Sequence, residues 1–124
     1  MEKFQKSFRR LVVWQEAKTL CLALYKITKN FPKEELYAMT SQIRRAAYSV
    51  MANIAEGNER RGARERINFF MIAKGSLVEV DCFLELSHEL QYLSLHDYTL
   101  LENQLNKVAS LLNHFIISQP SPSL

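Results

Sequence analysis

The chain predicts an all-α fold, an antiparallel up-down-up-down four-helix bundle. Three observations point there. Glycine and proline number only three each in 124 residues, and two of the prolines fall in the last five. A β-rich chain needs more turn residues than that. Four stretches carry apolar residues at alternating steps of three and four, the signature of a helix with one buried face. The connections between them are short, which makes successive helices antiparallel neighbours.

The first helix is expected from Phe8 to Lys29. Trp14, Ala17, Cys21, Leu24, Thr28 and Phe31 keep the rhythm, and Val13, Leu20 and Ile27 widen the face. Asn30-Phe31-Pro32 stops it, because a residue before proline avoids the α region.

The second helix is expected from Lys33 or Leu36 to Asn58, with Thr40-Ser41 as cap of its main body. Gly57 reads as a left-handed C-terminal residue. This helix carries two stripes. Ile43, Ala47, Val50, Ile54 and Gly57 form an apolar seam. Beside it run Gln42, Arg45, Ser49, Asn53 and Glu56. A solvated back face needs no ordered Ser/Asn/Glu row, so the helix is expected to touch one partner inside the subunit and one outside it. Its many alanines let another backbone come close.

Glu59 to Gly62 link to the third helix, expected from Ala63 to Leu93. One of its stripes is Phe69, Ala73, Leu77, Val80, Leu84 and Ser87; another is Ile72, Ser76, Phe83, Leu86, Leu90 and Leu93. Together they cover a wider arc than a lone bundle buries, so a second subunit is expected over part of it. Gly75 with Ser76 reads as a close-contact point. Ser94-Leu95-His96 is a loop and Asp97 the N-cap of the fourth helix. That helix shows Tyr98, Leu101, Leu105, Val108, Leu112 and Phe115 in heptad rhythm. Residues 1–118 make one bundle domain, and 119–124 a frayed tail.

Net charge is +3 and unevenly placed. Residues 1–74 hold 15 of the 16 Lys and Arg against 7 acids, a balance of +8; the remainder carries −5. Such a basic half fits a phosphate backbone, since Lys and Arg displace condensed counterions. It equally fits pairing between opposite halves of successive copies in a ring. No stretch approaches the roughly 18 apolar residues of a membrane span, and the N-terminus lacks a signal-peptide core. Cys21 and Cys82 lie in apolar helical patterns and read as buried thiols of a cytoplasmic protein.

Trp14 with the Phe31-Pro32 stop, Gln42-Ile43-Arg44-Arg45-Ala46, Ser49, Asn53-Ile54-Ala55-Glu56-Gly57, and Phe69 through Ala73-Lys74-Gly75-Ser76-Leu77 to Glu79 carry a resemblance. Together they resemble the four helix bundle protein family, also called the 23S ribosomal RNA intervening sequence protein or S23 family. The resemblance spans nearly the whole chain to Ser118. It implies an all-α bundle assembled as a homopentamer. The family name reflects genes inside insertions in ribosomal RNA genes, which is location and not demonstrated RNA binding. The family is also similar to the accessory variability determinant of diversity-generating retroelements, a basic bundle that works with a reverse transcriptase and its RNA. This chain departs from the family at Met51-Ala52, where Pro and Ser are usual, and its second helix is therefore expected to be straighter. It also has Ala38 where a glycine is frequent.

The candidate nucleic-acid contacts are Arg44, Arg45, Arg60, Arg61, Arg64, Arg66 and Lys74, with Lys3, Lys6, Arg9 and Arg10 near the N-terminus. Arginine forks suit phosphates, and the start of the third helix adds free N–H groups and partial positive charge. Stacking aromatics are few nearby, so backbone and shape recognition of RNA or DNA is expected. Intersubunit or solvent pairing is the competing reading, and Glu59 and Glu65 lie within the cluster. Gln42, Ser49, Asn53, Glu56, Gly75, Ser76 and Glu79 are read as an oligomer interface or a strip that sets helix register. A catalytic reading of Ser49-Asn53-Glu56 lacks a base beside the serine. Glu85-x-x-His88 has no second copy, and His88 is read as solvated, so no metal site is expected. No phosphate loop appears, and no cofactor.

The expected function is a non-enzymatic oligomeric bundle that binds nucleic acid, structured RNA above all. The alternative is a docking scaffold that recruits a protein such as a reverse transcriptase. No membrane partner is expected.

Overall fold

A computed structural model describes residues 7–120. A 3₁₀ turn, Ser7–Arg10, leads into α1 (Val12–Thr28). A second 3₁₀ turn, Lys33–Glu35, precedes α2 (Met39–Glu59). Then come α3 (Ala63–Glu89) and α4 (Leu95–Ile117). The described residues contain no strand. Each helix packs on its neighbours in sequence, and α1 closes on α4, so the four surround one core.

The core comes from the residues whose spacing marked a buried face. Ala17, Cys21 and Leu24 of α1 meet Ile43, Ala47, Val50 and Ile54 of α2. Ala73, Leu77, Val80 and Leu84 of α3 and Leu101, Leu105, Val108 and Leu112 of α4 complete it. Two aromatic positions differ from the reading. Phe70, not Phe69, is fully buried, tilted against Phe115 at 4.8 Å. Trp14 is half-buried, because Val13 takes the inward position on the first turn of α1.

The helix ends differ more. Helix α1 starts at Val12, later than expected. Helix α2 starts at Met39 behind Ala38, which offers no side-chain cap. Thr40 therefore lies inside the helix, buried, its hydroxyl without a partner among the described residues. Gly57 does not end α2 in a left-handed residue; no glycine has positive φ, and the helix runs on to Glu59. Its lack of a side chain serves packing instead. A Cβ there would meet Phe70 Cε1 at 2.6 Å and Phe69 Cβ at 2.9 Å. Close approach of α3 needs a glycine at that point.

Helix α3 ends at Glu89, short of Leu93, and Gln91 takes φ 64° in the turn that follows. Ser94, not Asp97, caps α4: its hydroxyl accepts from the Asp97 backbone N–H at 3.1 Å. Asp97 sits in the first turn, where its charge suits the helix dipole. Gln119 is pinned, donating to the Phe115 carbonyl at 3.0 Å. The rest of the expected tail, 121–124, lies outside the described residues, as do Lys3 and Lys6.

Candidate nucleic-acid interface

Several contacts gather four helix ends and the N-terminal turn at one pole. Ser7 Oγ accepts from Asn58 Nδ2 at 2.9 Å and donates to Glu59 Oε1 at 3.2 Å, tying the first turn to the end of α2. Arg66 Nη1 donates to the Asn58 carbonyl at 2.9 Å and the Arg60 carbonyl at 3.2 Å, and Nε donates to Gln119 Oε1 at 2.9 Å. This clasp joins α2, α3 and the chain beyond α4.

Six arginines therefore share this pole: Arg9, Arg10, Arg60, Arg61, Arg64 and Arg66. Their availability differs. Arg66 is half-buried and held by backbone carbonyls, with its guanidinium 5.7 Å from the Phe70 ring centre. Arg60 pairs with Glu56 and covers the Phe69 ring at 4.9 Å. Arg61 and Arg64 are exposed. The ion pairs among the described residues, Arg60–Glu56 and Lys107–Glu16, include neither of them.

The other candidates lie elsewhere. Arg44 is half-buried against the end of α1; Nε donates to Thr28 Oγ1 at 3.0 Å and Nη2 to the Tyr25 carbonyl at 3.3 Å, with the ring of Tyr25 beneath at 4.7 Å. Arg45 is exposed in the first half of α2. Lys74 is exposed on α3, at a shallow groove shared with Asp81, Asn106 and Asn113.

The polar stripe divides too. Ser49 and Ser76 hydroxyls meet at 2.9 Å across α2 and α3, and Asn53 Nδ2 donates to the Ser49 carbonyl at 2.8 Å and to its hydroxyl at 3.1 Å. This network fixes the register of the two helices within one subunit. Gln42, Glu79 and Gly75 are exposed. A Cβ on Gly75 would meet nothing within 4 Å, so Gly75 is no contact point inside the subunit. Beside this strip lies the second α3 stripe: Ile72, Leu86 and Leu90 are 52%, 44% and 45% exposed, and Phe83 is half-buried.

Away from the pole the charges fall into distinct settings. Hydrogen bonds from Lys107 and Gln104 hold Glu16 below the usual carboxylate range and draw it toward α4. Glu102 faces carboxylates instead. Burial, with Asp81 beside it and Glu85 nearby, pushes it up to about 7, although Tyr98 partly relieves it. His88 is not solvated as expected; it stacks on Tyr98 at 4.4 Å, with Nδ1 3.4 Å from the Leu93 carbonyl. No group of three metal-ligating side chains occurs among the described residues. Both cysteines are free, and Cys82 is exposed, not buried. No helix of the described residues is long and apolar enough to cross a membrane.

One aromatic feature escaped the periodicity. Phe8 and Trp14 stand edge to face at 4.9 Å beside Arg9 and Lys18. Trp14 counted as core because its spacing fits the α1 stripe, and half-exposure of a stripe's margin has no sequence signal.

Fold and surface together define a small helical-bundle protein with an arginine-rich pole. The pattern of the 23S rRNA-intervening sequence protein family matches residues 9–114, and the chain belongs to that family. It is similar to a solved structure from Bacteroides thetaiotaomicron VPI-5482, a protein of unknown function from the S23 ribosomal protein family. Identity is 26%, the TM-score is 0.76, and the match covers 85% of this chain and 98% of that one. No curated protein matches the chain.

Proposed function

We propose that the protein is a non-enzymatic, cytoplasmic bundle, up-down-up-down in topology, that binds structured RNA through its arginine pole. One observation carries this reading: Arg61 and Arg64 are exposed at the start of α3, at the end of the bundle to which Ser7 ties the turn holding the exposed Arg9 and Arg10, and the helix adds its own positive end there. Arginine forks at such a surface suit phosphate oxygens. The exposed apolar stripe of α3, next to the thin alanine-rich α2, supports assembly of copies into a ring of five, which multiplies the pole. The test is titration of labelled structured RNA at 50 and 200 mM salt. Binding through several phosphate contacts is expected to weaken at least ten-fold across that range. Absence of binding, or affinity indifferent to salt, sinks the reading.

The same apolar stripe favours a second reading, a scaffold that docks a protein such as the reverse transcriptase of a diversity-generating retroelement. Arg60/Arg61/Arg64→Glu separates the two. RNA binding is lost under the first reading, while capture of the reverse transcriptase persists under the second.

A further inference from the structure

The groove on the outer side of α1 has a chemistry that the arginine pole alone lacks. It encloses about 610 Å³ and is lined by Arg9, Trp14, Gln15, Lys18, Thr19 and Leu22. Its aromatic lining is Trp14, against which Phe8 packs edge to face at 4.9 Å and 65°. Gln15 Nε2 donates to the Arg9 carbonyl at 2.8 Å and holds the 3₁₀ turn against α1. The Arg9 guanidinium lies 5.9 Å from the Phe8 ring centre, and the Lys18 ammonium lies 5.6 Å from that of Trp14.

Among the described residues the groove lining contains no carboxylate. The one acid of α1, Glu16, is turned to the α4 side by Lys107 at 2.9 Å and by Gln104. Glu59 lies across Ser7, on the α2 side of the turn. A half-buried tryptophan with two cations beside it, and the carboxylates of the described residues held off, matches a base carried on a phosphate. A base stacks on the ring, and the flanking phosphates meet the cations. The long stem of Lys18 lets its ammonium leave the ring for a phosphate.

We infer that this groove is a stacking site for an unpaired nucleotide, at the edge of the arginine pole and continuous with it through Ser7. The inference rests on the nucleic-acid reading and deepens it: the preferred nucleic acid has an unpaired segment beside its structured part. Trp14 is the only tryptophan of the chain, so its fluorescence reports on this site alone.

The experiment titrates the wild-type chain with a mixed-sequence, unstructured 12-nucleotide RNA, a duplex of equal length, and inorganic polyphosphate. The single strand is expected to quench Trp14, with the midpoint seen by anisotropy of a labelled strand. Polyphosphate is expected to compete for the cations without quenching. Trp14→Ala is expected to lose roughly ten-fold in single-strand affinity, with duplex affinity unchanged; Trp14→Phe keeps most of it. Thr19→Glu, at an exposed position, sets a carboxylate in the groove without opening the core, and is expected to reduce both quenching and affinity. Salt-dependent binding with unchanged Trp14 emission, and Trp14→Ala and Thr19→Glu equal to wild type, overturns the groove and leaves the pole intact. No binding of any nucleic acid overturns both.

Discussion

Arg44 and Arg66 lie at opposite ends of the bundle and do the same work. Arg44 donates to the Tyr25 carbonyl in the last turn of α1, and Arg66 to the Asn58 and Arg60 carbonyls at the end of α2. Arg64 lies within one turn of Arg66 and Arg61 just before the helix, yet both are exposed. The difference comes from what the neighbouring backbone offers. The last turn of a helix presents carbonyls without partners, which accept from guanidinium. The first turn of α3 presents N–H groups, which cannot accept, and its dipole repels a cation. Arginines beside a helix C-terminus are drawn inward; those at an N-terminus are left for anions from outside.

The largest effect should fall on the clasp. Arg66→Ala removes bonds to two carbonyls and to Gln119, and is expected to cost about 2–3 kcal/mol. Arg64→Ala is expected to leave stability within about 0.5 kcal/mol. Thermal unfolding followed by circular dichroism compares them, and an equal loss for both breaks the distinction.

The two helical glycines sharpen it next. Gly57→Ala sets a methyl against the ring of Phe70 and the Cβ of Phe69, and overpacking outweighs the helix gain by about 1–2 kcal/mol. Gly75→Ala meets open space, so the isolated subunit should gain up to about 1 kcal/mol. If copies pack on this face, the same change weakens their association. Unfolding midpoints at several concentrations separate the two outcomes for Gly75→Ala.

Carboxylates extend the comparison at a smaller scale. Glu102 is raised to about 7 by burial and by Asp81, so the folded state holds its proton more tightly than the unfolded chain does. Stability should therefore rise as pH falls from above 7 toward 4.5, on the order of 1 kcal/mol after solvent screening. Glu102→Gln should flatten that rise and stabilise the protein at pH 8. A variant whose stability keeps the wild type's dependence on pH between 8 and 5 contradicts the assignment.

The buried faces of all four helices were legible because the three/four rhythm reports which side chains share a face. The ends were less legible. Ser94 caps α4 three residues before Asp97, and both residue types suit a cap. Gly57 looked like a terminator, since the need for space beside Phe70 belongs to α3 and not to the local sequence. The candidate arginines could be named by type, but their sorting into clasps and free forks depends on which helix end each meets. Trp14 showed the same limit: spacing placed it on the core stripe, and packing left one side open.

The exposed Arg61 and Arg64 at the start of α3 are the centre of the proposed binding surface, and the slope of RNA affinity against salt tests them most directly. Arg61→Gln/Arg64→Gln should keep the fold and lower the slope of log affinity against log salt by about two, one for each phosphate contact removed. An unchanged slope in a folded variant would contradict the account.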